Sequence, residues 1–254
     1  MNPMDVAKYC EAVLRLDGAV LGDEYFYSSL SLCVIDAVFS INIRYEITQK
    51  VVENYCQYFK LPRMRTNKDI SPPKKEQQPL VDFIRSMDEL GLDYFTNNIY
   101  RNRNRTSATN GILKTEAAYL FAVELNASGV NYFQDVSKVL GPDAFAERIK
   151  SIRGQGSGIS LKYFFMLSGE DSLIKPDRWI LDFLQNIYPG SITRQDAEEI
   201  LTKTCGILHE GYNNITPRLL DNQIWKYQRG QKKGTACALV KTQCRSPRLG
   251  HAQR

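Results

Sequence analysis

The sequence predicts an all-α fold, and three observations carry that prediction. Apolar residues recur at helical spacing through most of the chain, and no run of strands with period-2 alternation stands out. Gly or Pro closes or separates several of the periodic segments, as at Gly18, the proline-rich stretch 61–79 and Gly141-Pro142.

The elements follow in order. Residues 4–16 form a first helical pattern that Gly18 ends. The longest periodic segment, 29–59, runs from Leu32, Ile35 and Phe39 to Val51, Val52, Tyr55 and Phe59. It is long enough for two helices, with a break expected near 40–45. Four prolines (Pro62, Pro72, Pro73, Pro79) make 61–79 an exposed loop. Helices resume at 79–90 and 111–127, separated by the polar loop IYRNRNRTSATNG. Two short helices are expected at 132–140 and 143–152, and four more at 159–167, 177–187, 193–208 and 216–227. Thr193, with Asp196 three residues later, has the pattern of a helix N-cap box. The count is about ten helices, with no internal repeat. Beyond Tyr227 the pattern fades, so a helical domain at 1–228 followed by a basic, flexible tail at 229–254 is expected.

The bulk properties bound the class. A chain of 254 residues can bury a sizeable core, as one large domain or two interleaved lobes. Its 43% hydrophobic and 24% charged content is that of a globular protein, which excludes a disordered one. No apolar run approaches the roughly 18 residues that span a membrane, and residues 1–18 lack a charged-then-apolar signal pattern. Cys10, Cys33, Cys56 and Cys205 sit singly in helical patterns, as small buried hydrophobes would. A reducing compartment is expected, hence a cytoplasmic protein, and a monomer is expected.

Net charge is +5, but its distribution is uneven. Residues 226–254 hold eight Lys or Arg and no acid, leaving the rest of the chain at −3. A second acid-free stretch, 99–114, holds Arg101, Arg103, Arg105 and Lys114. Such segments fit a polyanion partner; a solvated surface is the alternative reading.

The chemistry concentrates in 147–184. In Ile152-Arg153-Gly154-Gln155-Gly156-Ser157-Gly158, alternating glycines let the chain reverse and leave no Cβ to block a close backbone approach. The next helix begins near Ile159, so its unpaired N–H groups and positive dipole end face the turn, where a phosphate can bind. Asp177 follows 19 positions after Gly158, in Lys175-Pro176-Asp177-Arg178-Trp179. An Asp before an apolar periodic run is also an ordinary helix N-cap. The two roles are compatible.

In order and spacing, this hairpin and acid resemble the helix-hairpin-helix superfamily of DNA glycosylases, to which endonuclease III belongs. The resemblance spans about 29–227 and is most specific at 152–183. It implies a two-lobed helical fold, double-stranded DNA as partner, and an enzyme that flips a nucleotide and hydrolyses its N-glycosidic bond. Asp177 would be the catalytic carboxylate, and Gly154, Gly156, Ser157 and Gly158 would hold phosphate. Members that also cut the strand carry a hairpin Lys where this chain has Gly158, and Lys162 is a poor substitute; the expected activity is monofunctional. Some members bind an iron–sulfur cluster through four cysteines, of which Cys237 and Cys244 match one spacing only, so no cluster is expected. The resemblance permits a monovalent cation against the hairpin carbonyls.

Upstream, 39–45 falls where the family has a turn whose residues fill the gap left by a flipped base. Asn42 is the candidate plug, with Arg44 near the backbone or orphan base; two helices packing around a polar kink is the plainer reading. Arg103 and Arg105 are candidate DNA contacts in a loop that also reads as an exposed connector. Asp36, an acid in an apolar helix, and Trp225, in a core-like helix, are lesser candidates for pocket and stacking roles. A DNA-binding or partner-binding protein that keeps the fold without catalysis is the rival expectation.

Overall fold

Asn2 opens the first helix: its Oδ1 accepts the Met4 N–H at 3.0 Å, and Pro3, which has no N–H to satisfy, takes the first helical position. The computed structural model describes residues 1–141 and 143–243, with side chains as far as Gln231. The helices are α1 (Pro3–Val13), α2 (Leu30–Phe39), α3 (Tyr45–Phe59), α4 (Leu80–Leu90), α5 (Leu92–Tyr94), α6 (Lys114–Ala127), α7 (Asp143–Ser151), α8 (Ile159–Ser168), α9 (Arg178–Gln185), α10 (Arg194–His209) and α11 (Pro217–Gln243). The protein is all-α, and among the described residues no strand forms beyond isolated bridges at Tyr27–Met64 and Arg105–Leu113. No described helix is long and apolar enough to cross a membrane.

The chain divides into two units. One, Leu21–Lys175, contains α2 to α8; the other joins Met1–Val20 to the chain from Pro176 onward.

In the first of these, α2 is the axis. All ten of its residues are buried, and it packs against α3, α4, α6 and α8. A helix apolar all round belongs inside a protein, as the run LSLCVIDAVF demands. Around it the aromatics interlock: Tyr55 meets Phe83 edge-on at 5.6 Å, Phe39 meets Tyr100 at 5.0 Å, and Phe121 lies 5.4 Å from Phe164. The expected break in 29–59 is present, because α2 ends at Phe39 and α3 starts at Tyr45.

In the second unit, α1 packs on α10, and α9 packs on α10 and α11. Phe183 is its aromatic hub, 5.2 Å from Tyr9 and 6.0 Å from Tyr227. Thr193 caps α10 as its sequence predicts, accepting the Asp196 N–H at 3.1 Å.

Some elements differ from the sequence expectation. The short helix expected at 132–140 is present as a 3₁₀ helix, Phe133–Lys138. Asp135 fixes its start by accepting the N–H groups of Asn131 and Tyr132. A short 3₁₀ turn, Asp23–Phe26, and the α5 segment were not expected. After α5 the chain widens into a π turn, Phe95–Ile99, in which the Tyr100 N–H reaches Phe95 O at 2.8 Å. An i to i+5 spacing has no match in a 3.6-residue pattern. Finally, α11 continues through Gln243, across the boundary expected at 228. The cysteine pair Cys237 and Cys244 and most of the basic tail lie outside the described side chains. The four described cysteines, Cys10, Cys33, Cys56 and Cys205, are buried thiols.

Candidate nucleic-acid interface

The hairpin between α7 and α8 is built on two left-handed glycines. Gly154 has φ +84°, and a Cβ there would lie 2.4 Å from the Thr106 side chain. Gly158 has φ +69° and stands at the N-cap of α8. Both positions thus need glycine, for conformation at each and for space at Gly154. Two turns shape the loop: the Gln155 N–H donates to Ile152 O and the Gly158 N–H to Gln155 O, each at 2.9 Å. Gly156 and Ser157 form the exposed tip, and among the described residues their N–H groups meet no intramolecular acceptor. A Cβ on Gly156 would find nothing nearer than Lys150 O at 3.8 Å, so the tip is open to an approaching group.

Gln155 points the other way. It is buried, its Oε1 accepts the Ser160 hydroxyl, and its Nε2 has no hydrogen-bond partner among the described residues. No sequence signal marks it. A monovalent cation at this hairpin would have to share carbonyls already in use: Ile152 and Gln155 accept the turn bonds, and Arg153 O accepts from Thr106.

Thr106 ties the hairpin to the arginine loop. Its hydroxyl, on a buried side chain, donates to Arg153 O at 3.0 Å and accepts the Ile112 N–H at 3.2 Å. Arg103 and Arg105 are exposed on this loop, as is Arg101. Arg103 donates to Asn97 Oδ1 at 2.6 Å and Arg105 to Gly111 O at 2.9 Å. None of the three makes an ion pair among the described residues, and each donates to a neutral oxygen.

The loop ends at Lys114, which ties it to the α2–α3 turn. Lys114 is 1% exposed, and its Nζ donates to Phe39 O at 2.8 Å and to Ile41 O. Burial pulls this amine down to about 8 from its ordinary value. The turn it grips exposes Asn42, in the left-handed region at φ +51°, and Arg44, the extended N-cap residue of α3. One loop therefore connects the hairpin, through Thr106, with the Asn42 turn, through Lys114.

Asp36, one turn before the end of α2, is fully buried. Its carboxylate accepts hydroxyls from Tyr27 at 2.8 Å, Ser40 at 2.7 Å and Tyr45 at 3.2 Å. Burial raises its pKa above the ordinary carboxylate value, while the three hydroxyls and the charge of Lys175 pull it partly back. Lys175 itself lies over the Tyr163 ring, 3.9 Å from the centroid.

Asp177 belongs to the other unit, separated from Lys175 by Pro176 alone. It is the N-cap of α9, half-buried, with Oδ1 accepting the Trp179 N–H at 2.8 Å. The structure thus gathers the hairpin, the arginine loop and the Asn42 turn in one unit, and sets Asp177 at a helix start in the other. Trp225 lies on α11 with the Arg229 guanidinium 4.8 Å from its ring. Lys162 lies half-buried on α8. Among the described residues no cluster of three His, Cys, Asp or Glu could hold a metal ion.

Residues 4–229 match the model of a family described as a domain of unknown function, DUF8548. The match covers most of the chain, and the protein belongs to that family. No curated protein and no solved structure matches the chain.

Proposed function

We propose that this protein is a DNA glycosylase that flips a nucleotide from duplex DNA and hydrolyses its N-glycosidic bond. The observation that carries the reading is the α7–α8 hairpin: an exposed Gly156-Ser157 tip whose N–H groups are unengaged among the described residues, tied through Thr106 to a loop of arginines that lack acidic partners among those residues. Backbone donors of this kind bind phosphate and fix register on DNA without reading its sequence. Arg103 and Arg105 add charge along the same backbone, and Asn42 enters the duplex where the base leaves, with Arg44 beside it.

Base loss develops positive charge on the sugar. Asp177 supplies a carboxylate whose orientation is fixed by the Trp179 N–H, suited to stabilise that charge and to align the water that adds at the anomeric carbon. The C–N bond breaks as water attacks, and the base departs with a proton. Gly158 offers no amine, so the product is an intact abasic site. Nothing in this chemistry calls for a metal.

The test is a panel of duplexes bearing damaged, mismatched and modified bases, with abasic sites revealed by alkali. The wild type excises at least one base and leaves strands whole until alkali is added. Asp177→Asn keeps shape and removes charge, and lowers the single-turnover rate on the order of 10³-fold, the scale of losing an electrostatic transition-state contact. Undiminished excision by Asp177→Asn would remove the catalytic assignment.

One observation favours a second reading, a DNA-binding protein without catalysis. Tyr163 and Phe164 are both buried within their unit, which leaves α8 with core-filling aromatics. Tight duplex binding with no excision across the panel would support that reading instead.

A further inference from the structure

We infer that Lys114 and Asp36 are positioning residues, which together hold the Ser40–Ile41–Asn42 turn in the shape that inserts Asn42 into DNA. The inference rests on the proposed flipping role of Asn42. It starts from a problem that every helix end has: the last carbonyls of α2 lack intrahelical partners. Glycine-based caps often solve it, but here the residue in the left-handed conformation is Asn42, three positions beyond Phe39.

The solution is a buried ammonium from another helix. Lys114, the first residue of α6, reaches the carbonyls of Phe39 and Ile41, which lie 75 and 73 positions away in sequence. A cation at a helix C-terminus also matches the negative end of the dipole. Asp36 grips the same turn from inside the helix. Its main-chain O accepts the Ser40 N–H at 2.9 Å and its carboxylate accepts the Ser40 hydroxyl, while Tyr27 and Tyr45 hold that carboxylate from the flanking segments. Residues 39, 40 and 41 are thus each fixed by a charged, fully buried group.

Such an arrangement exceeds what a surface turn needs for folding. Two ionisable groups are desolvated to hold four residues whose outermost member, Asn42, is exposed and makes no hydrogen bond among the described residues. A strained left-handed conformation persists when its surroundings over-determine it, and such residues gather at functional sites. Holding Asn42 ready avoids ordering the turn at the moment the base leaves the stack.

The experiment uses a duplex carrying a tetrahydrofuran abasic analogue opposite 2-aminopurine, so the excised base need not be known. Fluorescence of the orphan 2-aminopurine at saturating protein reports insertion, and anisotropy reports affinity. Asn42→Ala sets the no-insertion baseline. Lys114→Met, confirmed as folded by circular dichroism, is expected to lose most of the fluorescence change while its affinity falls by roughly tenfold or less; misplacing a reacting group by about 1 Å costs on the order of 10²-fold in rate, so excision falls further than binding. Lys114→Arg, which restores a cation, recovers part of the signal. Should Lys114→Met not fold, Asp36→Asn carries the test, with the same expected loss. A full wild-type signal from Lys114→Met, or from Asp36→Asn in that event, overturns the inference. A full signal from Asn42→Ala instead overturns the flipping role on which it rests.

Discussion

Lys114 shows how a single residue can be read in the sequence and yet misread in role. Its neighbours Ile112 and Leu113 hint at burial, but its place in an acid-free basic stretch suggested contact with DNA. Only the fold brings two helix-terminal carbonyls to its amine. Burial also gives it a measurable signature. Its folded value of about 8 lies below the ordinary 10.5, so the unfolded chain holds more protons between those limits. The cost of burying the ammonium is complete below pH 8 and is relieved as pH rises toward 10.5. Wild type should therefore gain stability relative to Lys114→Met between pH 7.5 and pH 10, measured by urea unfolding at each pH. Tyrosines and cysteines that ionise over the same interval are common to both proteins and cancel in the difference. A gap that stays constant with pH would show that the amine is not desolvated.

At the scale of elements, the sequence was most legible where one pattern decides everything. The ten-residue α2 is mostly apolar and buried on every side, and the caps Thr193 and Asp177 sit where polar residues precede apolar runs. Where the backbone leaves the 3.6-residue period, the pattern marks a helix at 132–140 without its 3₁₀ type and shows no sign of the π turn. The π turn at Phe95–Ile99 and the 3₁₀ helix at Phe133–Lys138 are held by i+5 and i+3 bonds and by buried side chains such as Phe95 and Phe133, which propensity does not register. The hairpin lies between these cases. Its glycines were visible, but the reason for Gly154 is Thr106, a residue 48 positions earlier. The hairpin reading has its own test in Gly156→Asp, which meets no clash in the folded protein and places a carboxylate at the tip. Affinity for duplex DNA should fall about tenfold for every sequence, with thermal stability unchanged. Wild-type affinity should drop by ~100-fold between 50 and 200 mM salt if roughly four phosphates are neutralised. Equal affinity of the two proteins, by anisotropy at both salt concentrations, would remove the hairpin from the interface.

For the whole molecule, the informative feature is that one unit is assembled from both flanks of the other. Removing residues 1–20 takes away Val6, Ala7, Cys10, Leu14 and Leu16, all buried. At about 25 cal/mol per Å² of apolar surface, that loss is on the order of 5 kcal/mol. The expected outcome is selective: amides in α9 and α10 lose hydrogen-exchange protection, while those of α2, α6 and α8 keep theirs. Uniform loss along the chain would show that the two units open as one. The sequence allowed two interleaved lobes from length alone, but the division at Val20 and Pro176 depends on which apolar faces meet, and no periodicity specifies a partner.

The pairing of α1 with α10 has a consequence for how the protein is made. Thr204 Oγ1 lies 3.4 Å from Pro3 O across 201 positions of sequence, and α1 has no helix to lie against in its own unit that is synthesised sooner than α9. At about 5–20 residues per second, a ribosome needs roughly ten to forty seconds to extend from one partner to the other. Before that interval ends the Leu21–Lys175 unit has all of its own elements and is expected to fold first, with Val6 and Cys10 of α1 still uncovered. A nascent chain stalled before α10 is therefore expected to present the apolar face of a short helix to any chaperone at the tunnel exit, with closure of the terminal unit as the slow, late step of biogenesis.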